Sequence, residues 1–214
     1  MTDLTVSLLG LNQIVQFEIS SEAFYNQRLS NPTYPGGSSG VTVGIGYDLG
    51  YNTQATIKSD WQNQISDKDL TRLLEAAGKK GKDAKDLIPG LIQVKVPLAA
   101  AKQVFYKSTL PRYARNTQQV FPEVENLLAD AQTMLLSLVF NRGTAIEGDR
   151  RREMKAIKPL VKRADLRGIA EEIRSMKRLW NINELPGLHI RRDKEAELIE
   201  SARTTYSSNE ITKI

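Results

Sequence analysis

The strongest constraint on the fold is an apolar segment at residues 122–139. Its apolar side chains recur at helical spacing and form a broad stripe, which suits burial at the centre of a helical lobe. The residues of this stripe are Val124, Leu127, Leu128, Ala131, Leu135, Leu138 and Val139. Gly143 follows, and glycine is the residue that most often lies just beyond a helix C-terminus. The segment therefore predicts a central helix that begins at Pro122.

The remaining pattern predicts one domain of the α+β class that is mainly helical. Residues 41–50 begin with β-branched side chains and predict a strand, in which Gly44 and Gly46 leave part of one face bare for a ligand or another backbone. From about residue 59 onward the chain predicts one helix after another. We expect a small β-containing N-terminal lobe at about 20–60 and a larger helical C-terminal lobe at about 61–206, within a single domain of residues 1–214.

Several local signals divide the helical part. Ser66 and Asp165 are typical helix N-caps, and Pro97 is typical of a helix start. Pro159 is expected to interrupt the segment 150–178, because proline removes a helical hydrogen bond. The last helix is predicted at residues 189–206, after the turn that Pro186 and Gly187 indicate.

Composition excludes several kinds of chemistry. The chain of 214 residues has no cysteine and one histidine, His189. Disulfides, cysteine–zinc sites, iron–sulfur clusters and thiol nucleophiles are thereby excluded. A single histidine cannot build a histidine-based metal site, so we expect no metal and no cofactor. Carboxylate chemistry remains open.

The first helix places a carboxylate at the end of an apolar stripe. Leu8, Leu11, Val15 and Glu18 share one helical face. Glu18 is then either a solvated residue at a frayed helix end or a partly desolvated acid at the lip of a cleft. The periodicity alone favours the solvated end.

The motifs together resemble one known family. Glu18 followed seven residues later by Tyr25, the strand 41–46 and the helix end 141–143 resemble the T-even phage lysozyme family, glycoside hydrolase family 24. Residues 47–50 resemble its pesticin-like branch. The resemblance spans about 12–205, although residues 60–120 are not diagnostic, and it implies a lysozyme-like fold.

The resemblance implies a muramidase that hydrolyses the β-1,4 bond between N-acetylmuramic acid and N-acetylglucosamine in peptidoglycan. Glu18 matches the general acid of the family, and Thr42 matches the threonine that orients the attacking water. The phage branch has an aspartate where this chain has Gln27, so the second carboxylate is assigned from the pesticin-like branch to Asp48. A pair of carboxylates is what glycoside hydrolysis usually requires.

Other residues are candidates for substrate binding or for structure alone. Tyr25 and Tyr47 either stack on sugar rings or pack in the core. Asn141 and Arg142 face the cleft in the family, where Arg142 would hold a carboxylate; a helix C-terminus stabilised by a cation is the alternative. Glu22 is expected to be solvated or ion-paired rather than catalytic.

The charge favours an anionic partner. The net charge is +5, and the segment 150–178 carries eleven Lys or Arg against four Asp or Glu. Peptidoglycan carries peptide carboxylates and is the expected partner, although a solvated helical face explains the individual residues equally well. The alternative function is a non-enzymatic basic helical domain that binds nucleic acid or the cell wall. No nucleic-acid-binding motif accompanies the charge, so no nucleic-acid partner is expected.

The setting follows from two further expectations. No stretch approaches the ~20 apolar residues of a membrane span, and the N-terminus lacks signal-peptide character. We therefore expect a monomer made in the cytoplasm without stable membrane insertion. It would be a phage or prophage endolysin, or an antibacterial effector, acting on the cell wall after delivery by a holin or a secretion system. A holin, secretion machinery or an inhibitor protein would be its protein partners.

Overall fold

Helices dominate the computed structural model, which describes residues 3–214. The α-helices in this range are α1 (Leu8–Ile19), α2 (Glu22–Phe24), α3 (Gln54–Trp61), α4 (Asp67–Leu74), α5 (Lys82–Leu91), α6 (Leu98–Val104), α7 (Leu110–Val120), α8 (Ala129–Arg142), α9 (Arg152–Lys162), α10 (Leu166–Ser175) and α11 (Pro186–Glu200). The strands are β1 (Thr5–Ser7), β2 (Thr42–Val43), β3 (Tyr47–Asp48) and β4 (Ile211–Lys213). The α+β, mainly helical class predicted from the sequence is confirmed. No helix in this range is long and apolar enough to cross a bilayer.

The chain divides into two compact units. The middle unit is Val15–Leu110, and the terminal unit combines Met1–Ile14 with Pro111–Ile214. The first boundary falls within α1, and the second falls at the start of α7. Residues 61–110, which the sequence analysis placed with the helical lobe, therefore group with the strands β2 and β3.

The core of the terminal unit is α8. Every residue from 129 to 139 is buried, as expected for a helix that other elements cover on all sides. The predicted central helix is thus confirmed, but its start at Pro122 was wrong. Glu123 adopts a left-handed backbone conformation with φ 73° and Leu128 is extended, so residues 122–128 form turns and a short 3-10 segment.

Polar side chains on α8 attach a strand to it. The backbone N–H of Thr5 donates to Gln132, and that of Ser7 donates to Thr133, both at 2.8 Å. These bonds hold β1, which pairs antiparallel with β4. The buried polar groups of α8 therefore satisfy the backbone of a two-stranded sheet that joins the two ends of the described chain.

A buried ionic cluster joins α8 to α11. Glu195 accepts hydrogen bonds from Arg191, from Arg192 and from the hydroxyl of Ser137. All four side chains are buried, and those of Arg192 and Glu195 have no exposed surface. One carboxylate thus compensates two guanidinium groups in a low-dielectric interior.

In the middle unit, the predicted strand at 41–50 is a hairpin. β2 pairs antiparallel with β3, and Val43 lies opposite Tyr47. Gly44 and Gly46 form the turn with φ 61° and 65°, a region that glycine enters without strain. The glycines therefore reverse the chain direction, instead of leaving one face of a single strand bare.

Two other helix boundaries differ from the sequence prediction. Pro159 lies inside α9, and the break comes at Ala164, where φ is 51°. Asp165 then caps α10 by accepting from the N–H of Gly168 at 2.9 Å, as predicted. The last helix is Pro186–Glu200 rather than 189–206.

We predict that Glu195→Gln lowers the free energy of unfolding by about 3–5 kcal/mol, because it removes the charge that compensates two buried guanidinium groups. Urea denaturation followed by circular dichroism measures this change. The matched control is Glu197→Gln, at an exposed position of the same helix, where we expect a change within about 0.5 kcal/mol. Equal stabilities of the two variants would show that the buried cluster does not stabilise α11 on α8.

Candidate functional site

Glu18 lies at the end of an ordered helix. It is the penultimate residue of α1, and its side chain is half-buried. The helix stops because Ser20 takes a left-handed conformation with φ 58°, after which Ser21 caps α2. Glu18 is therefore placed by α1 in partly desolvated surroundings, rather than on a frayed end.

The hairpin brings two of the predicted catalytic residues together. Thr42 and Asp48 are directly opposite each other in the antiparallel register. Side chains at such positions lie on the same face of the hairpin, with Cβ atoms about 4.5–5.5 Å apart. The Thr42 hydroxyl forms no hydrogen bond to any other residue in the range 3–214. It is therefore available to a water molecule or a ligand.

Asp48 also has a structural role that the sequence analysis missed. Its Oδ2 accepts from the N–H of Gly40 at 3.0 Å, and its Oδ1 accepts from the N–H of Gly50 at 2.8 Å. A Cβ at Gly40 would collide with this carboxylate and with the backbone of Gly50. The two glycines thus permit the close approach through which Asp48 clamps the loop before β2 to the turn after β3.

The two tyrosines predicted for sugar stacking are core residues. Tyr25 is completely buried, its hydroxyl donates to the carbonyl oxygen of Val96 at 2.9 Å, and burial raises its pKa. Tyr47 is 3% exposed and donates to Asp60 at 2.7 Å, while its ring packs edge-on against Trp61. Stacking on a sugar needs an open ring face, so the substrate-binding assignment is corrected to packing for both.

Glu22 is solvent-exposed and ion-paired, as the sequence predicts. Its carboxylate pairs with Lys102 at 3.0 Å, and 71% of its side chain is exposed. Glu22 is therefore a surface carboxylate, four residues from Glu18, that can serve as a control for substitutions of Glu18.

Asn141 and Arg142 belong to the terminal unit, at the last turn of α8. Asn141 is exposed and Arg142 is half-buried. The Arg142 guanidinium donates from Nη2 to the carbonyl oxygen of Arg150 and lies over the ring of Trp180, 5.1 Å from its centre. Burial, followed by repulsion from Arg151 and two other arginines, lowers the pKa of Arg142 to about 10.

A polar cavity of about 300 Å³ lies in the middle unit, and no sequence signal indicated it. It is lined chiefly by amide and hydroxyl side chains from the turn after α3, from the end of α6 and from the π-helical segment Phe105–Thr109, including Gln62, Asn63, Gln103 and Ser108. Asp60 joins it to the hairpin through Tyr47. Within residues 3–214, no group of three or more His, Asp or Glu is arranged to hold a metal ion.

Comparison with known families gives one match. The model of a domain of unknown function, DUF8812, matches residues 17–192. The chain belongs to the DUF8812 family. A search of curated proteins finds no match. The DUF8812 match begins one residue before Glu18 and includes Thr42, Asp48 and Arg142, so the candidate residues lie within the part that defines the family.

We predict that Asp48→Asn destabilises the DUF8812 domain by about 1–3 kcal/mol, because an amide offers one oxygen where two backbone N–H groups need an acceptor. Thermal and urea unfolding measure the loss. Asp86→Asn is the control, since Asp86 forms only an exposed ion pair with Lys82, which contributes little. An Asp48 variant as stable as this control would rule out the clamp.

Proposed function

We propose that this chain is a lysozyme-like muramidase that hydrolyses the β-1,4 bond between N-acetylmuramic acid and N-acetylglucosamine in peptidoglycan. The observation that carries the proposal is the pairing of Thr42 with Asp48 across the hairpin, in the same compact unit as Glu18. A hydroxyl, a fixed carboxylate and a second carboxylate in one unit are the groups that the family resemblance requires.

Glu18 would act as the general acid. Its role is to protonate the glycosidic oxygen as the bond to the leaving sugar breaks. Partial burial supports this role, because a half-buried carboxyl meets its substrate with less competing water than an exposed one.

Thr42 and Asp48 would act on the attacking water and on the positive charge that develops in the sugar. The Thr42 hydroxyl has no partner in the described range, and it would hold the attacking water by a hydrogen bond. Asp48 keeps lone pairs after its two backbone bonds, because each carboxylate oxygen can accept more than one hydrogen. Its fixed negative charge would stabilise the oxocarbenium-like transition state.

The basic segment fits the nucleic-acid alternative poorly. Of its eleven Lys or Arg residues, seven are ion-paired with acids, which divides the positive charge into local pairs. The proposed setting remains a phage or prophage endolysin, or an antibacterial effector, that reaches the cell wall by a holin or a secretion system.

We predict that the purified protein releases reducing ends from isolated peptidoglycan and that Glu18→Gln lowers the rate by roughly 100-fold or more, as loss of a general acid does. Glu22→Gln, which removes an exposed carboxylate on α2, should retain the wild-type rate.

Two results would overturn the proposal. One is the absence of reducing-end release by folded wild-type protein; the other is equal loss of activity in the Glu18 and Glu22 variants. Binding of duplex DNA with a steep salt dependence, without sugar release, would favour the alternative function.

We also predict that Thr42→Val lowers the hydrolysis rate by at least roughly tenfold while the unfolding free energy changes by less than about 1 kcal/mol, since the lost hydroxyl has no internal partner. Rate and urea-unfolding measurements on the same samples test this. Thr42→Ser should restore much of the rate. A Thr42→Val enzyme with full activity would remove Thr42 from the site.

A further inference from the structure

Arg142, Arg150 and Arg151 of the terminal unit share one property: they have no acidic partner among the described residues. Within residues 3–214, Arg142, Arg150 and Arg151 form no ion pair, whereas the next arginine in sequence, Arg152, pairs with Glu153. Glu153 is also bound by Arg178. The two nearby acids, Glu153 and Asp149, are both engaged by Arg152 and Arg178, so the three arginines have no ion-pair partner of their own in this range.

The chain brings the Arg142 guanidinium to the segment that carries Arg150 and Arg151. Arg142 donates to the carbonyl oxygen of Arg150, which places its guanidinium against the 3-10 segment Asp149–Arg151. Trp180 covers one face of this guanidinium. Burial contributes most to lowering the pKa of Arg142; repulsion from Arg151, Arg192 and Arg150 lowers it further, and attraction by Glu153 offsets a smaller part.

Two donors in this cluster are buried and have no acceptor. They are Nε of Arg142 and Nη1 of Arg151, for which no acceptor is found among the residues that the structure describes. Buried polar atoms are paired in the large majority of cases, and an uncompensated buried cation is costly. A bound oxyanion is a ligand that supplies both hydrogen-bond acceptors and negative charge.

We propose that Arg142, Arg150 and Arg151 form a binding site for a phosphate group. A phosphate carries up to two negative charges and presents oxygens in several directions, which suits three guanidinium groups that approach from different chain positions. A carboxylate carries one charge and is planar, so it suits fewer arginines than a phosphate does. Glu153, for example, pairs with two arginines. This proposal does not depend on the muramidase activity.

The test measures binding of inorganic phosphate by the whole protein. Calorimetric titration gives the affinity, and thermal unfolding in sodium phosphate against sodium chloride at equal ionic strength gives the stabilisation. We expect phosphate to raise the unfolding temperature of the wild type. Arg142→Gln and Arg151→Gln should each weaken phosphate binding by about tenfold or more, since each removes charge-assisted hydrogen bonds. Arg167→Gln, at an exposed arginine paired with Glu171 on α10, should bind as the wild type does.

The variants are expected to fold. In chloride, Arg142→Gln should unfold close to the wild-type temperature, because relief of repulsion among the arginines offsets the lost hydrogen bond to Arg150. Arg151→Gln is the second test if the Arg142 side chain proves to be needed for folding. Diethyl phosphate, a diester, distinguishes the two sources of the group: binding of the diester indicates a phosphodiester polymer, and binding of inorganic phosphate alone indicates a free phosphate or monoester.

Three outcomes would overturn the site. They are no stabilisation by phosphate or the diester beyond chloride, equal phosphate binding by the Arg142, Arg151 and Arg167 variants, and stabilisation by acetate as large as that by phosphate. The last outcome would assign the cluster to carboxylates instead.

Discussion

The terminal unit depends on two buried carboxylates, Glu195 and Glu153, each of which pairs with two arginines. Glu195 compensates Arg191 and Arg192 between α8 and α11. Glu153 compensates Arg152 and Arg178 at the start of α9. Since these acids, and Asp149 as well, are engaged by other arginines, none pairs with Arg142, Arg150 or Arg151 within residues 3–214. The same shortage of acid that makes Glu195 important for stability also leaves an electropositive cluster at Arg142.

The helical part of the fold could be predicted from the sequence where the pattern is long. The apolar stripe of α8 predicts a fully covered helix, and its burial from 129 to 139 confirms this. Its beginning could not be predicted, because Val124 and Leu127 keep the helical spacing while Glu123 and Leu128 leave the helical conformation. At Pro159 the prediction was wrong in the opposite direction. Proline favours a break, but Pro159 lies inside α9, whose residues Met154, Ile157 and Val161 are buried.

In the candidate site, reversal of the chain brings together two residues that a single strand would hold apart. Along one extended strand, Thr42 and Asp48 would be separated by about 20 Å, since a strand rises about 3.3 Å per residue. In the hairpin they are directly opposite each other, because Gly44 and Gly46 reverse the chain. The alternation of β-branched residues and glycine does not distinguish these structures. The burial of Tyr25 was equally hidden, since its partner Val96 lies 71 positions later in the sequence.

The clamp around Asp48 bears on which catalytic role this carboxylate suits. Each Asp48 oxygen accepts a backbone N–H group. Protonation of Asp48 would remove the negative charge that strengthens these two hydrogen bonds, which hold the chain at Gly40 and Gly50. A charge that stays fixed throughout the reaction costs no reorganisation and can stabilise positive charge as it develops. In the proposed muramidase, the clamp would therefore suit Asp48 to electrostatic stabilisation and would leave the positioning of water to Thr42.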